Sequence, residues 1–159
     1  MAARLENVER FNREINEYAR DLLPRQLVLL QKKIVFEVLR GVVGRTPVDT
    51  GRARGNWQVS IGAPKDGEVE TKEKGPRGEA PQAGGGGVFG AGRTELGALP
   101  RGRPFQVVFI TNNVPYIVRL EEGWSKQAPQ GMLAVTFAEV AEKIRSELLG
   151  GGDVPEGSS

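Results

Sequence analysis

The stretch Thr46-Pro-Val-Asp-Thr-Gly-Arg-Ala-Arg-Gly-Asn-Trp-Gln-Val-Ser-Ile-Gly62 decides how this chain is read. Its first half is a turn. The residue before Pro47 is pushed out of the helical region. Asp49 and Thr50 bond readily to nearby backbone, and Gly51 accepts positive φ. Its second half changes period. Ala53, Gly55, Trp57, Val59 and Ile61 alternate with Arg52, Arg54, Asn56, Gln58 and Ser60, which predicts a half-buried strand anchored by Trp57. On that reading Arg52 and Arg54 project from the polar face. The stretch therefore marks a passage from helix to strand.

Upstream the spacing is helical. Leu5, Val8, Phe11, Ile15, Tyr18 or Ala19, and Leu22 step by threes and fours between Glu and Arg residues, an amphipathic stripe. Pro24 removes a backbone donor and crowds the preceding turn, so a kink or restart is expected there. Leu27, Leu30, Ile34, Val35, Val38, Leu39 and Val42 form a broader apolar face, and the helix should end near Gly41–Gly44. One long kinked helix, or two in series, thus precedes the turn.

Downstream, P-K-D-G at residues 64–67 reads as a turn and E-V-E-T-K as a short return strand. From Glu73 to Arg103 periodicity is lost among Gly, Pro and Arg, with four consecutive glycines at 84–87. Such a segment buries too little apolar surface to offset its ordering entropy, and a long flexible loop is expected. Phe105, Val107, Phe109 and Thr111 then share one strand face, while Val108 and Ile110 make the other apolar too. This predicts a central strand covered by helices. N-N-V-P at 112–115 is a turn, Tyr116–Glu122 a short helical piece, and Met132–Leu149 a final helix. The sum is an α+β protein: a long kinked N-terminal helix and a C-terminal helix on a small, mostly antiparallel sheet. One domain over residues 1–149 is expected, with a flexible loop at 73–103 and a disordered polar tail at 150–159.

The chain of 159 residues holds neither cysteine nor histidine. Disulfides, Cys/His zinc sites, thiol nucleophiles and Ser-His-Asp triads are thereby excluded. Glu121 and Glu122 are adjacent and do not face one way, and Asp49 most simply caps the turn, so no paired-carboxylate centre is expected. G-A-G-R-T-E-L-G at 90–97 fails the nucleotide-loop patterns. No cofactor and no metal is expected. The opening M-A-A-R-L-E-N-V-E-R-F is charged and amphipathic rather than signal-like, and no apolar run is long enough to span a bilayer.

Net charge is only +2, but it is unevenly placed. Residues 1–60 carry 11 basic and 7 acidic side chains, and residues 105–159 carry 4 and 7. Two readings remain open: ordinary solvated faces, or oppositely charged surfaces that meet between subunits.

The blocks T-P-V-D-T-G-R-A-R-G-N-W-Q-V-S and N-N-V-P-Y-I-V-R-L-E-E-G-W-S-K-Q-A-P-Q-G-M, in that order, resemble the tail-completion (head–tail joining, or neck) proteins of long-tailed bacteriophages. Trp124 stands where that pattern would carry a smaller or polar residue. The resemblance implies a structural virion protein. Its subunits form a ring, hexameric on this resemblance, at the head-proximal end of the tail. The ring contacts the tail tube or tail terminator on one side and the head connector or head-closure protein on the other, with genomic DNA passing through the lumen. The expected subunit or partner interface comprises Arg52, Arg54, Glu121, Glu122, Trp124 and Lys126, with the two arginines meeting Glu121 or Glu122 of a neighbour. The alternatives are a tail terminator or head-closure ring, a small basic nucleic-acid-binding protein using Arg40, Arg45, Arg52 and Arg54, and a cell-wall hydrolase lacking a credible acid–base pair.

Overall fold

The computed structural model describes residues 2–73 and 86–150, with side chains from residue 6 onward. The fold is α+β. Helix α1 (Ala2–Glu17) runs through a π-helical turn (Tyr18–Leu22) into α2 (Leu23–Arg45). The π turn lies immediately before Pro24, in the first turn of α2, so the proline is absorbed by local rewinding of the helix. A one-turn helix α3 (Arg52–Gly55), strand β1 (Trp57–Ile61), helix α4 (Gly87–Gly97), strand β2 (Val108–Asn112), short helix α5 (Ile117–Glu121) and helix α6 (Leu133–Gly150) follow.

The two strands pair antiparallel, Trp57 opposite Asn112 and Ile61 opposite Val108. The core lies where α2, β1 and α4 meet. It holds Val28, Val38, Leu39, Val42 and Val43 of α2, Trp57 and Val59 of β1, and Val88, Phe89 and Leu96 of α4, closed by Leu99, Ala128 and Met132. Trp57 is 4% exposed, as the alternation requires. Helix α6 lies along α2. Thr136 is buried against Gly41, and the ion pairs Lys33–Glu147 (2.5 Å), Glu37–Lys143 (3.1 Å) and Arg45–Glu139 run along the seam. These pairs are solvated and set register more than stability, each contributing about 0–1 kcal/mol.

Four expectations are corrected. The strand does not begin at Arg52: Arg52–Gly55 is helical, and extended pairing starts only at Trp57. Gly51 forms the helix N-cap at φ +80°, and its carbonyl accepts the Gly55 amide at 2.9 Å. That local bond closes a helical turn before any strand partner is reached.

The second correction concerns the glycine-rich segment. Residues 87–97 form α4 and pack on β1 and α2; residues 74–85 and the tail from 151 lie outside the described residues. The four glycines of α4 each cost about 1 kcal/mol relative to alanine. Burying Val88, Phe89 and Leu96 returns about 1.5–3 kcal/mol each, enough to offset them. Those three residues and Gly92 sit at i, i+1, i+4 and i+8, the helical signal hidden among the glycines.

Third, β2 is not a covered central strand. The sheet has two strands among the described residues, and every residue of β2 is half-buried. The ladder stops short of Phe105 because Phe105 adopts φ +65°, outside the extended region. The Gln31 side chain also occupies this segment, accepting from the Phe105 amide at 3.2 Å and donating to the Gln106 carbonyl.

Fourth, residues 68–72 form no strand. Their polar backbone is satisfied by a side chain instead. The buried Asn56 donates to the Val69 carbonyl at 3.0 Å and accepts from its amide at 2.7 Å.

Candidate functional site

The two sequence blocks come together in space. Pro47 and Asp49 to Ala53 form one wall of a shallow cleft of about 240 Å³; Tyr116, Leu120, Ser125 and Gln127 form the other. The Val48 amide donates to Gln127 Oε1 at 3.1 Å and ties the walls together.

Most polar groups of the first block are spent on holding this geometry. Thr46 is fully buried; its hydroxyl donates to the Val42 carbonyl at 2.6 Å and accepts from Trp57 Nε1 at 2.8 Å. The Asn112 amide donates to the Ala53 carbonyl at 2.7 Å, which links β2 to α3. Asn113 donates to the carbonyls of Lys65 and Gly67, both at 2.8 Å.

The expected interface residues separate into two groups. Arg54 is 0% exposed; its Nε donates to the Val43 carbonyl at 2.9 Å. Burial pulls its guanidinium below the usual arginine range, partly opposed by the Glu73 carboxylate. It therefore does not reach a neighbouring subunit, contrary to the alternating-strand reading, because α3 turns it toward the end of α2. Glu121 is also engaged internally. Its carboxylate accepts from the amides of Met132 (2.8 Å), Leu133 (2.9 Å) and Ala134 (3.3 Å), capping the N-terminus of α6 from α5. Gly131 stands at φ +76°, and a Cβ there would lie 2.4 Å from the Glu121 carbonyl oxygen. The L-E-x-G…Q-G-M part of the second block is thus a device for starting a helix.

Arg52 is exposed, but forks onto Glu68 of its own chain with two bonds of 2.7 Å. Glu122, Trp124 and Lys126 remain on the surface. Trp124 is 73% exposed, and the Arg119 guanidinium lies 5.4 Å from its ring centroid. Tyr116 and Val118 are also exposed on this short segment. Sequence reasoning missed Val118 and Arg119. No pattern marks Val118 as outward-facing, and the Arg119–Trp124 approach depends on the turn at Gly123.

Exposed Trp, Tyr and Arg are the side chains that dominate protein interfaces, combining large apolar area with directional polar contacts. Among the described residues no group of three or more acidic side chains is placed to hold a metal ion, and no helix is long and apolar enough to cross a membrane. Arg40, Arg45, Arg52 and Arg54 do not make a basic patch: Arg45 is bonded to Thr136 and Glu139, Arg52 to Glu68, and Arg54 is internal.

The two sequence blocks thus converge on one cleft of an α+β scaffold, with Trp124 exposed nearby in the second block. No protein-family profile, curated protein or solved structure matches the chain.

Proposed function

We propose that this chain is a structural subunit of a phage virion. It forms a ring at the head-proximal end of the tail and joins the tail to the head connector, with DNA passing through the lumen. The observation that supports this most is the convergence of both resembling blocks on one cleft. Their buried polar groups maintain the scaffold, while Tyr116, Val118, Arg119 and Trp124 are left outward for a partner. On this reading the tail tube or terminator and the head-closure protein are the neighbours, assembly is the activity, and the chain resides in the virion neck.

The test is electron microscopy of the purified chain alone and mixed with tails lacking it. Rings seated at one tail end, lost with Trp124→Ala, are the expected result. Tails that stay bare at both ends refute the proposal.

A further inference from the structure

Helix α1 projects from the body with an unpartnered apolar stripe. Val8, Phe11, Ile15, Tyr18 and Leu22 recur by alternating threes and fours, and all are about half exposed or more, Phe11 at 61%. The stripe presents roughly 400 Å² of apolar surface, the size of patch that marks an interaction site on a soluble protein. It does not serve its own body. Phe11 lies 20 residues before Gln31 on one helical run, about 30 Å along the axis at 1.5 Å per residue.

A second uncovered surface lies on the body. Phe105 is 77% exposed at φ +65°, and Val107 is 61% exposed beside it. The Gln31 side chain pins this segment to α2 through both the Phe105 amide and the Gln106 carbonyl. A bulky residue in the left-handed region, held outward by two hydrogen bonds, is a conformation that local sequence does not favour. Arg101 and Arg103 are exposed next to it and form no ion pair among the described residues.

Charge pairs these two surfaces. Glu14 and Asp21 lie seven residues apart beside the stripe, Glu14 on α1 and paired at 2.9 Å with the exposed Arg10 one turn before it, Asp21 in the π-helical turn. If two α1 helices paired antiparallel, these acids would face their own copies. Against Arg101 and Arg103 they meet cations.

We propose that the α1 stripe of one copy docks on the Phe105–Val107 patch of the next, the partner being a second copy of this chain. The contact is heterologous: each copy gives one surface and receives with the other, so repetition yields a ring or an open chain. This deepens the ring reading by naming its intersubunit contact, and its test needs no tail.

The chain has no native cysteine, which makes site-directed cross-linking clean. Asn12→Cys, beside the stripe, and Val107→Cys are prepared separately and mixed under mild oxidation or with a short bismaleimide. The expected product is a 12–107 heterodimer, and the double variant should give a ladder of covalent multimers. A 12–12 product alone, or no cross-link, overturns the proposal. In a second arm, Phe11→Glu with Ile15→Glu should shift the mass in solution to the monomer while leaving the circular-dichroism spectrum and cooperative unfolding of the chain intact, because the α1 side chains are exposed on the single chain. An oligomer unaffected by the double variant, or a wild-type chain monomeric at its highest soluble concentration, also overturns it. A 12–107 cross-link in a protein that never seats on tails retains this contact and rejects the neck assignment.

Discussion

Replacing Glu121 separates a structural role from an interface role. Its carboxylate accepts backbone amides of Met132, Leu133 and Ala134, amides at the start of α6 that no intrahelical carbonyl serves. Hydrogen bonds to a charged group contribute about 1.5–3 kcal/mol each when buried. The site is half-buried, so water recovers part of that loss, and cap replacements elsewhere cost about 0.5–2 kcal/mol. The negative charge also lies at the positive end of the α6 dipole, which adds about 0.3–1 kcal/mol. Glu121→Ala should therefore destabilise the fold by about 2–3 kcal/mol. Glu121→Gln keeps one oxygen but loses the charge and turns an amide donor toward other donors, so it should cost about half as much. At about 2–4 °C per kcal/mol for a domain of this size, the alanine variant should melt about 5–10 °C lower. Urea unfolding followed by circular dichroism reads both quantities, in monomeric protein if necessary. If both variants unfold within about 0.5 kcal/mol of wild type while assembly is lost, Glu121 is a contact residue and the capping argument is wrong.

The two arginines of the first block should behave oppositely. Arg52→Ala, at an exposed pair, should cost less than about 1 kcal/mol, whereas Arg54→Ala should cost about 3 kcal/mol or more by opening a cavity and stranding the Val43 carbonyl; urea titrations of both variants check the contrast. Gly55→Ala should destabilise by at least about 2 kcal/mol, because the added Cβ would lie 2.1 Å from the Thr71 carbonyl oxygen, a backbone atom; faster proteolysis at residues 68–73 should accompany it. Trp57→Phe leaves the ring volume largely filled but removes the bond to Thr46 Oγ1, and should cost about 1–2 kcal/mol in the same assay. For Glu147, the hydrogen bond from Lys33 holds the folded carboxyl below its ordinary value. A depressed acid stabilises above the unfolded value and loses that contribution as pH falls through the folded one. Melting curves of wild type and Glu147→Gln should accordingly differ at neutral pH and converge at low pH.

What could be read from the residues was local. The three-and-four spacing of Val8 to Val42 specifies a long helix, Thr46-Pro47 specifies its end, and the Trp57–Ile61 alternation specifies a strand with its tryptophan inward. Helix α6 was equally plain from Leu133, Phe137, Val140, Ile144 and Leu148. These signals survive because each depends on neighbours within one or two turns. The Arg52–Ile61 alternation misled at its first five residues, because a period of two over so short a run does not reveal that Gly51 will close a helical turn. The glycines around α4 hid an apolar set whose stability comes almost wholly from α2 and β1. The interface set failed in part for the same reason: charge type does not reveal that Arg54 points to a carbonyl of α2, or that Glu121 reaches amides eleven to thirteen residues onward.

By itself, then, the sequence determined the long N-terminal helix and its end at Thr46-Pro47, the strand from Trp57, the final helix, and the absence of thiol and imidazole side chains. Only the tertiary structure decided which charged residues are internal bonds and which are surface, that α4 is a helix, and that the α1 stripe stands uncovered. The physical reason is range. Periodicity and turn chemistry act between residues adjacent along the chain, whereas a side chain's partner is chosen by whatever distant segment packing brings within hydrogen-bonding reach.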